Sequence, residues 1–226
     1  MANILIVDAS SSLCSVALLR PEGVIGLHEH QPRKHAQRLL PMVEELLSSN
    51  GVYRDQLTAI AYGRGPGSFT GIRIAAAVTQ GIAMALDLPV AGISTLQALA
   101  QKTLQSPGEQ CIAVLDAHMG EVFWAPYQYN NGLAQPMAPE RVCSPADFLA
   151  HAEADMPAVG NGLALNELCH WPGNADQVLL AEDMAPLVEY AWQQQQFGDI
   201  ELHAPVYLRD GVAWKKLAEQ PSLLRR

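Results

Sequence analysis

The chain opens with the apolar run Ile4-Leu5-Ile6-Val7, which leads directly into Asp8-Ala9-Ser10. A short apolar run bounded by small polar residues predicts a buried strand that ends in a turn. The same pattern returns about 110 residues later, where Val114-Leu115 leads into Asp116-Ala117-His118, and this spacing is too long for a solenoid repeat. The two openings therefore predict a duplicated α/β fold with a cleft between its halves.

The order of the remaining elements supports this duplication. In the first half, apolar runs alternate with stretches of helical periodicity, and the predicted order is βββαβαβα. The second half repeats this order with shorter elements. We predict its strands at 111–116, 121–129, 137–143, 158–159 and 178–180, and its helices at 145–154, 163–170 and 184–197. The predicted domains are a first half at 1–107, a reduced second half at 108–204, and an extended C-terminal segment with a loosely held tail at 205–226.

The composition restricts the possible partners and the location. The 226 residues carry a formal net charge of −9, and only 16% of them are charged. A protein this acidic does not attract nucleic acid by its own field, so contact with RNA needs a local patch or a second protein. The chain starts without the basic region and long apolar stretch of a signal peptide, and the weakly polar stretch 74–86 is too short to span a bilayer. We therefore expect a cytoplasmic protein with no membrane association.

Asp8 and Asp116 end the first strand of each half, so both carboxylates are expected at the predicted cleft. Such a pair can hold Mg²⁺ through water and position the phosphates of a nucleotide. Short acidic side chains also cap turns very often, and that alternative stays open.

A glycine-rich stretch, Gly63-Arg64-Gly65-Pro66-Gly67-Ser68-Phe69-Thr70-Gly71, joins a predicted strand to a long helix. Alternating glycines allow close backbone approach, and Ser68 or Thr70 can cap the helix, whose N-terminus favours an anion. The stretch is neither a Walker loop nor a dinucleotide fingerprint. We predict a structural turn that docks the helix, formed by Gly65, Pro66, Gly67, Ser68, Thr70 and Gly71.

The sequence offers no convincing set of catalytic or metal-binding residues. The seven histidines include no His-Glu-x-x-His or His-x-x-x-His pair, the four cysteines include no Cys-x-x-Cys pair, and no Gly-x-Ser-x-Gly motif is present. We predict no catalytic residue and no metal site in this chain.

Several stretches resemble the TsaB family, also called YeaZ, over nearly the whole chain. They are Ile4-Leu5-Ile6-Val7-Asp8-Ala9-Ser10, Gly65-Pro66-Gly67-Ser68-Phe69-Thr70-Gly71-Ile72-Arg73-Ile74, Ile93-Ser94-Thr95-Leu96-Gln97-Ala98-Leu99-Ala100, Asp116-Ala117-His118-Met119-Gly120-Glu121-Val122-Phe123 and Pro205-Val206-Tyr207-Leu208-Arg209. The resemblance implies the ribonuclease-H-like fold of actin, Hsp70 and sugar kinases. It also implies a non-catalytic paralogue of TsaD that takes part in making threonylcarbamoyladenosine, next to the anticodon of tRNAs that read codons starting with A.

The resemblance further implies the partners and cofactors. TsaD transfers the threonylcarbamoyl group and forms a heterodimer with this chain, and TsaE is an ATPase partner. ATP and magnesium are used by these partners, and the isolated subunit has no cofactor. The chain contacts tRNA only indirectly through the complex, and it can form a homodimer when alone.

The chain departs from its catalytic relatives in two places. The helix that carries a metal-binding histidine in those relatives reads here Thr95-Leu96-Gln97-Ala98-Leu99-Ala100, with no histidine. Gly160-Asn161-Gly162 is only a remnant of their adenosine-binding loop. The resemblance therefore implies relics of a phosphate site at Asp8, Ser10, Asp116 and Gly160.

The predicted helix at 70–86 is apolar almost all round, which is typical of a helix buried on more than one side. We predict that its partner-binding stripe, completed by Leu39, Val43 and Leu46 of the preceding helix, consists of Arg73, Ala76, Ala77, Gln80, Ala83 and Met84. Ile74, Val78, Ile82 and Ala85 are expected to pack on the sheet. The alternative is that the C-terminal tail or the second half covers the stripe.

Two other functions stay open from the sequence. One is a stand-alone ATP-dependent phosphotransferase or ATPase that uses the cleft, with Asp8 and Asp116 on the metal. The other is a metallopeptidase, which the missing metal-ligand spacing disfavours.

Overall fold

The computed structural model describes residues 2–30 and 34–209, which form two mixed sheets flanked by helices. The elements of the first half are β1 (Ile4–Asp8), β2 (Leu13–Arg20), β3 (Gly23–His30), α1 (His35–Ser49), β4 (Ala59–Gly65), α2 (Phe69–Leu86), β5 (Val90–Ser94) and α3 (Thr95–Thr103). The strands of this half have the order β3-β2-β1-β4-β5, so the opening strand is central. The predicted order βββαβαβα is confirmed for this half.

The second half repeats the arrangement in reduced form. Its elements are β6 (Gln110–His118), β7 (Glu121–Asn130), β8 (Leu133–Pro136), β9 (Arg141–Cys143), α4 (Pro145–His151), β10 (Ala158–Val159), β11 (Gly173–Asn174) and α5 (Ala185–Gln193). Its strands have the order β11-β10-β6-β7-β8, with β9 paired to β7, so β6 takes the central place that β1 has in the first sheet. The predicted duplicated α/β fold with a reduced second half is confirmed.

Three predicted elements of the second half are wrong. Within the predicted strand at 137–143, residues 141–143 alone form a strand, β9, while β8 ends before it at Pro136. Pro139 lies between the two strands and has no N–H for a ladder. The helix at 163–170 is only a 3₁₀ turn, Asn161–Ala164. Leu163 and Leu168 are both buried in the second-half core, and a spacing of five does not place two residues on one helix face.

The strand predicted at 178–180 is also absent from the described residues. The backbone N–H of Leu180 donates to Asp183 Oδ2 at 2.8 Å instead of joining a strand ladder. This contact begins a 3₁₀ turn, Ala181–Met184, that leads into α5. The predicted helices at 145–154 and 184–197 are shorter than expected, since α4 ends at His151 and α5 ends at Gln193.

One hydrophobic core is shared between the two halves. Leu96 and Leu99 of α3 belong to it, together with Met184 and Val188 from the C-terminal part of the chain. The 3₁₀ turn Ala181–Met184 packs on β1, β2 and α3, so the end of the second half is built onto the first half. Lys102 Nζ reinforces this contact with an ion pair to Asp183 Oδ2 at 2.8 Å.

Residues 198–209, which lead into and include the start of the predicted C-terminal segment, cross the edge of the first sheet and then reach the second half. They pair with β5, follow the end of β4, and contact the β6–β7 hairpin. The contacts are Gly198 with Val90, the Tyr62 hydroxyl with the His203 carbonyl, the Val206 N–H with the Arg64 carbonyl, and Arg209 with the Ala117 carbonyl. The predicted tail beyond this segment, from residue 210 onward, lies outside the described residues.

Glycines bring the first turn of α2 into contact with the β1–β2 loop. A Cβ atom on Gly71 would lie 1.8 Å from the carbonyl oxygen of Ala9, so no side chain fits there. The Ser68 N–H donates to the Ser10 carbonyl at 2.7 Å, and the Ser68 hydroxyl accepts from the Gly71 N–H at 3.3 Å as the helix cap. The direction and rotation of α2 are fixed at this contact.

We expect Gly71→Ala to lower the free energy of unfolding by about 1–3 kcal/mol, because the methyl group meets backbone that cannot move aside cheaply. Gly81→Ala is the matched control on the same helix, since nothing lies within 4 Å of its added Cβ. Alanine in a helix interior should raise the stability by about 0.5–1 kcal/mol. Urea unfolding followed by circular dichroism measures both, and equal effects of the two variants would contradict the contact.

Candidate functional site

A cleft with a volume of 540 Å³ lies between the two halves of the fold. The first half contributes the β1–β2 loop and the glycine-rich turn, and the second half contributes the end of β6 and the loop after β10. The lining residues that bear on a phosphate site are Ser10, Ser11, Ser12, Gly67, Ser68, Asp116, His118 and Asn161.

Asp8 does not line this cleft, contrary to the expectation that both strand-end carboxylates face it. It is fully buried, and burial raises its pKa to about 7. Its Oδ2 accepts hydrogen bonds from the Ser10 N–H at 3.3 Å and the Ser10 hydroxyl at 3.1 Å. Its Oδ1 has no hydrogen-bond partner and lies against Gly63, where an added Cβ would be 2.1 Å away. The carboxyl group is thus enclosed by the protein.

Asp116 lines the cleft and also stabilises the β6–β7 hairpin. Its Oδ1 accepts from the His118 N–H at 2.7 Å, and its Oδ2 lies 3.4 Å from His118 Nδ1. The Asp116 N–H donates to Asn161 Oδ1 at 3.0 Å. The structure therefore does not bring Asp8 and Asp116 together as a pair of cleft carboxylates.

Gly160 is a packing position in the folded chain. Its φ is +115°, and an added Cβ would lie 2.3 Å from the Val114 carbonyl oxygen and 2.8 Å from Leu99 Cδ2. Of the four predicted phosphate-site residues, Ser10 and Asp116 line the cleft, while Asp8 and Gly160 do not. Within residues 2–30 and 34–209, no group of three or more His, Cys, Asp or Glu residues is placed to hold a metal ion.

Some residues of the glycine-rich turn line the cleft, and others pack within the protein. Gly67 and Ser68 line the cleft, and the Pro66 carbonyl accepts from the Thr95 hydroxyl at the start of α3. Thr70 is exposed, so Ser68 alone caps α2. Gly65 has a φ of +100°, a conformation that favours glycine.

A second candidate site is a groove of 470 Å³ between α1 and α2, which we call the α1–α2 groove. Its lining is almost entirely apolar. The residues are Leu40, Val43, Leu47, Leu57, Ala77, Val78, Gly81, Ile82, Ala85 and Leu86, together with Glu44 and Arg54. The last two form an ion pair with Arg54 Nη2 2.5 Å from Glu44 Oε2.

The predicted stripe on α2 is partly exposed and partly buried. Four of its members are exposed, namely Arg73, Ala77, Gln80 and Met84, and Ala76 is half-buried. The exposed fraction of Met84 is 75%, which is large for an apolar side chain. By length and composition, α2 is the one helix in the described part of the chain that could cross a membrane. One of its faces nevertheless packs on the first sheet.

The assignment of Ala83 to this surface is wrong. It is 6% exposed, because the helical period places it with Ile72, Ala75 and Thr79 on the face that packs on the sheet. Leu39, Val43 and Leu46 of α1 are likewise buried in the core, and of these three Val43 alone lines the groove.

The predicted inner face of α2 is correct only in part. Ile74, Val78 and Ile82 are half-buried and pack against the core of the first half, whereas Ala85 is exposed. Val78, Ile82 and Ala85 line the groove. Sequence reasoning missed Leu40, whose exposed fraction is 46%. The signal was present, because Leu39 and Leu40 are consecutive and a helix can bury only one of them deeply.

The start of α2 carries a stack of exposed side chains. The Arg73 guanidinium lies 3.2 Å from the centre of the Phe69 ring and 4.9 Å from that of Tyr207. The exposed fraction of Phe69 is 60%. The C-terminal segment therefore extends the apolar surface of α2 at its N-terminal end.

Comparisons with known proteins agree with this geometry. The family model described as "TsaD: tRNA N6-adenosine threonylcarbamoyltransferase" matches residues 23–172. The chain is 38% identical to the tRNA threonylcarbamoyladenosine biosynthesis protein TsaB of Escherichia coli strain K12, over 95% of this chain and 98% of that protein. It is 34% identical to TsaB of Haemophilus influenzae, over 95% and 97%.

A solved structure of YeaZ from Pseudomonas aeruginosa superposes with a TM-score of 0.84 and 40% identity. The superposition covers 92% of this chain and all of that one. With relatives this similar over almost the full length, the chain belongs to the TsaB (YeaZ) family.

Proposed function

We propose that this protein is the non-catalytic scaffold subunit of the complex that adds threonylcarbamoyl to tRNA. In this proposal the modified adenosine lies next to the anticodon of tRNAs that read codons starting with A. The protein pairs with the catalytic TsaD, acts together with TsaE, and works in the cytoplasm. The names of the TsaB relatives support the pathway, and the exposed apolar surface of α2 with the α1–α2 groove supports the scaffold role.

The surface has the chemistry of a protein-binding site. A long helix keeps Ala77, Gln80 and Met84 exposed next to a groove whose charged lining residues, in the described part of the chain, are Glu44 and Arg54. Contiguous apolar surface bordered by polar residues is typical of protein–protein interfaces, and methionine adapts well to a partner. A helix of TsaD is the proposed occupant, and a second copy of this chain can use the same surface in its absence.

The acidic composition supports indirect contact with tRNA. The formal net charge is −9, and a phosphate backbone is bound mainly through lysine and arginine. In this proposal TsaD supplies most of the contact to tRNA, and this subunit shapes or stabilises TsaD.

The hydrogen-bonding groups of the β1–β2 loop at the cleft are engaged within the protein, which supports assigning ATP and magnesium to the partners. The Ser10 N–H and hydroxyl, which a phosphate would need, donate to Asp8, and the Ser10 carbonyl accepts from Ser68. Asp8 itself is buried with a pKa raised to about 7, so it is a poor ligand for a cation at neutral pH. The same observations disfavour a stand-alone ATPase.

Reconstitution of tRNA modification tests the proposed function. Purified TsaD, TsaE, the enzyme that makes threonylcarbamoyl-adenylate, ATP and unmodified tRNA are combined with or without this protein. We expect modified adenosine only when both TsaD and this protein are present, measured by mass spectrometry of the nucleosides. Modification by this protein in the absence of TsaD would contradict the scaffold role.

Ala77→Arg should abolish both co-elution with TsaD and modification in that assay. Ala77 is exposed and lines the α1–α2 groove, so the variant should fold normally, but an unpaired charge in the interface costs several kcal/mol, of the order of 3–5. Ala150→Arg is the matched control, because Ala150 is exposed on α4 of the second half. If both variants co-elute with TsaD, the interface lies elsewhere; unchanged circular dichroism verifies folding.

Asp8→Asn should stabilise the protein at neutral and alkaline pH and leave modification intact. The pKa of Asp8 is raised from 3.8 to about 7, so the unfolded chain releases this proton first as the pH rises, and the wild type loses stability between these values. Asparagine removes this loss, which is about 4 kcal/mol once the pH exceeds the folded pKa. Urea unfolding from about pH 4 to pH 8 measures it. A hundredfold loss of modification in folded Asp8→Asn would instead indicate a working phosphate site.

A further inference from the structure

A third cavity, with a volume of 340 Å³, lies between β5 and α5. It shares no lining residue with the cleft or the α1–α2 groove. Its walls come from both halves, with β5 and the first turn of α3 on one side and β8 and α5 on the other. Nothing in the proposed scaffold role uses this cavity.

Arg64 carries the positive charge of the cavity. Its side chain lies over Gly92, where an added Cβ would be only 2.8 Å from Arg64 Cδ. Its Nε is buried and has no hydrogen-bond partner, and no carboxylate in residues 2–30 and 34–209 forms an ion pair with it. A guanidinium without a carboxylate partner remains available to an anion, so an anion that enters the cavity and pairs with Arg64 would stabilise the protein.

The remaining lining limits the charge and the shape of that anion. Burial and the nearby Arg64 lower the pKa of His203, so its ring is neutral at neutral pH and a single positive charge remains. Glu140 does not line the cavity, and its carboxylate accepts from the hydroxyls of Ser94 and Tyr127. One cation without further basic groups suits a monoanion better than a phosphate dianion.

Both sides of the cavity carry apolar side chains. Leu133 from β8 and Leu187 and Ala191 from α5 line one side, and Ala91 and Ile93 from β5 line the other. Amide and hydroxyl side chains are also present, among them Gln135, Tyr190 and Gln196. A pocket of this volume with mixed apolar and polar walls and one fixed charge suits a small amphipathic molecule.

We propose that this cavity binds a small aliphatic monocarboxylate. The carboxylate pairs with the Arg64 guanidinium, and the aliphatic part lies against Leu133 and Leu187. Because the walls belong to both halves, the bound molecule braces them against each other. It therefore stabilises the folded protein, and the stabilisation grows with the logarithm of its concentration once that exceeds the dissociation constant.

Calorimetric titration of the full chain at constant pH and ionic strength tests this with three probes: 4-methylpentanoate, its neutral isostere 4-methylpentanamide, and inorganic phosphate. We expect the carboxylate to bind at least about tenfold more tightly than the amide, because a charge-assisted pair is lost, and more tightly than phosphate. The carboxylate should also raise the melting temperature more than the amide does.

Arg64→Gln should reduce carboxylate binding to the level of the amide, and Arg64→Lys should keep part of the preference. Arg20→Gln is the matched control, because Arg20 lies at the end of β2 and does not line the cavity. Equal binding of carboxylate and amide to the wild type would overturn the proposal even if the Arg64 variants fail to fold. No saturable binding at about 10 mM, or phosphate binding as tightly as the carboxylate, would also overturn it.

Discussion

The first turn of α2 rests on the backbone of the β1–β2 loop, with no space for a side chain between them. Gly71 meets the Ala9 carbonyl, and the Ser68 N–H donates to the Ser10 carbonyl. A helix fixed at one end by backbone contacts has its rotation fixed along its whole length. This rotation buries Ile72, Ala75, Thr79 and Ala83 on the sheet and leaves the opposite face of α2 for a partner. The candidate interface on α2 thus depends on the contact between Gly71 and Ala9, which lies at the N-terminal end of this helix.

The same contact determines the chemistry of the cleft. The loop that would surround a phosphate is engaged within the protein, because Ser10 donates to Asp8 and accepts from Ser68. Asp8 is enclosed between this loop and Gly63, and burial raises its pKa to about 7, so a large part of it stays protonated at neutral pH. A fold built around a cleft therefore also presents an exposed apolar groove on the outside of α2, which agrees with the proposed scaffold role.

The sequence predicts the fold well where a hydrophobic pattern extends over many consecutive residues. The apolar run before Asp8, its repeat before Asp116, and the helical periodicity of α1 and α2 are sufficient for the first half and for the duplication. The short elements of the second half are not predictable in this way, because Leu163 and Leu168 are buried by a turn whose form depends on the surrounding core.

The rotation of α2 is not predictable from its sequence, because apolar residues surround the whole helix. Periodicity alone therefore does not distinguish the sheet-facing Ala83 from the exposed Ala77. Neither the stack of Arg73 with Tyr207 nor the cavity around Arg64 has a local signal, since residues distant in sequence form both.

Hydrogen–deuterium exchange of this protein, free and mixed with TsaD, tests most directly whether the outside of α2 is the working surface. Amides of α2 and of the facing side of α1 should exchange more slowly in the mixture, because a partner covers the groove and suppresses local opening. Amides of the cleft, in the β1–β2 loop and at the end of β6, should exchange at the same rate in both samples. Protection of the cleft with no change in α2 would contradict the account.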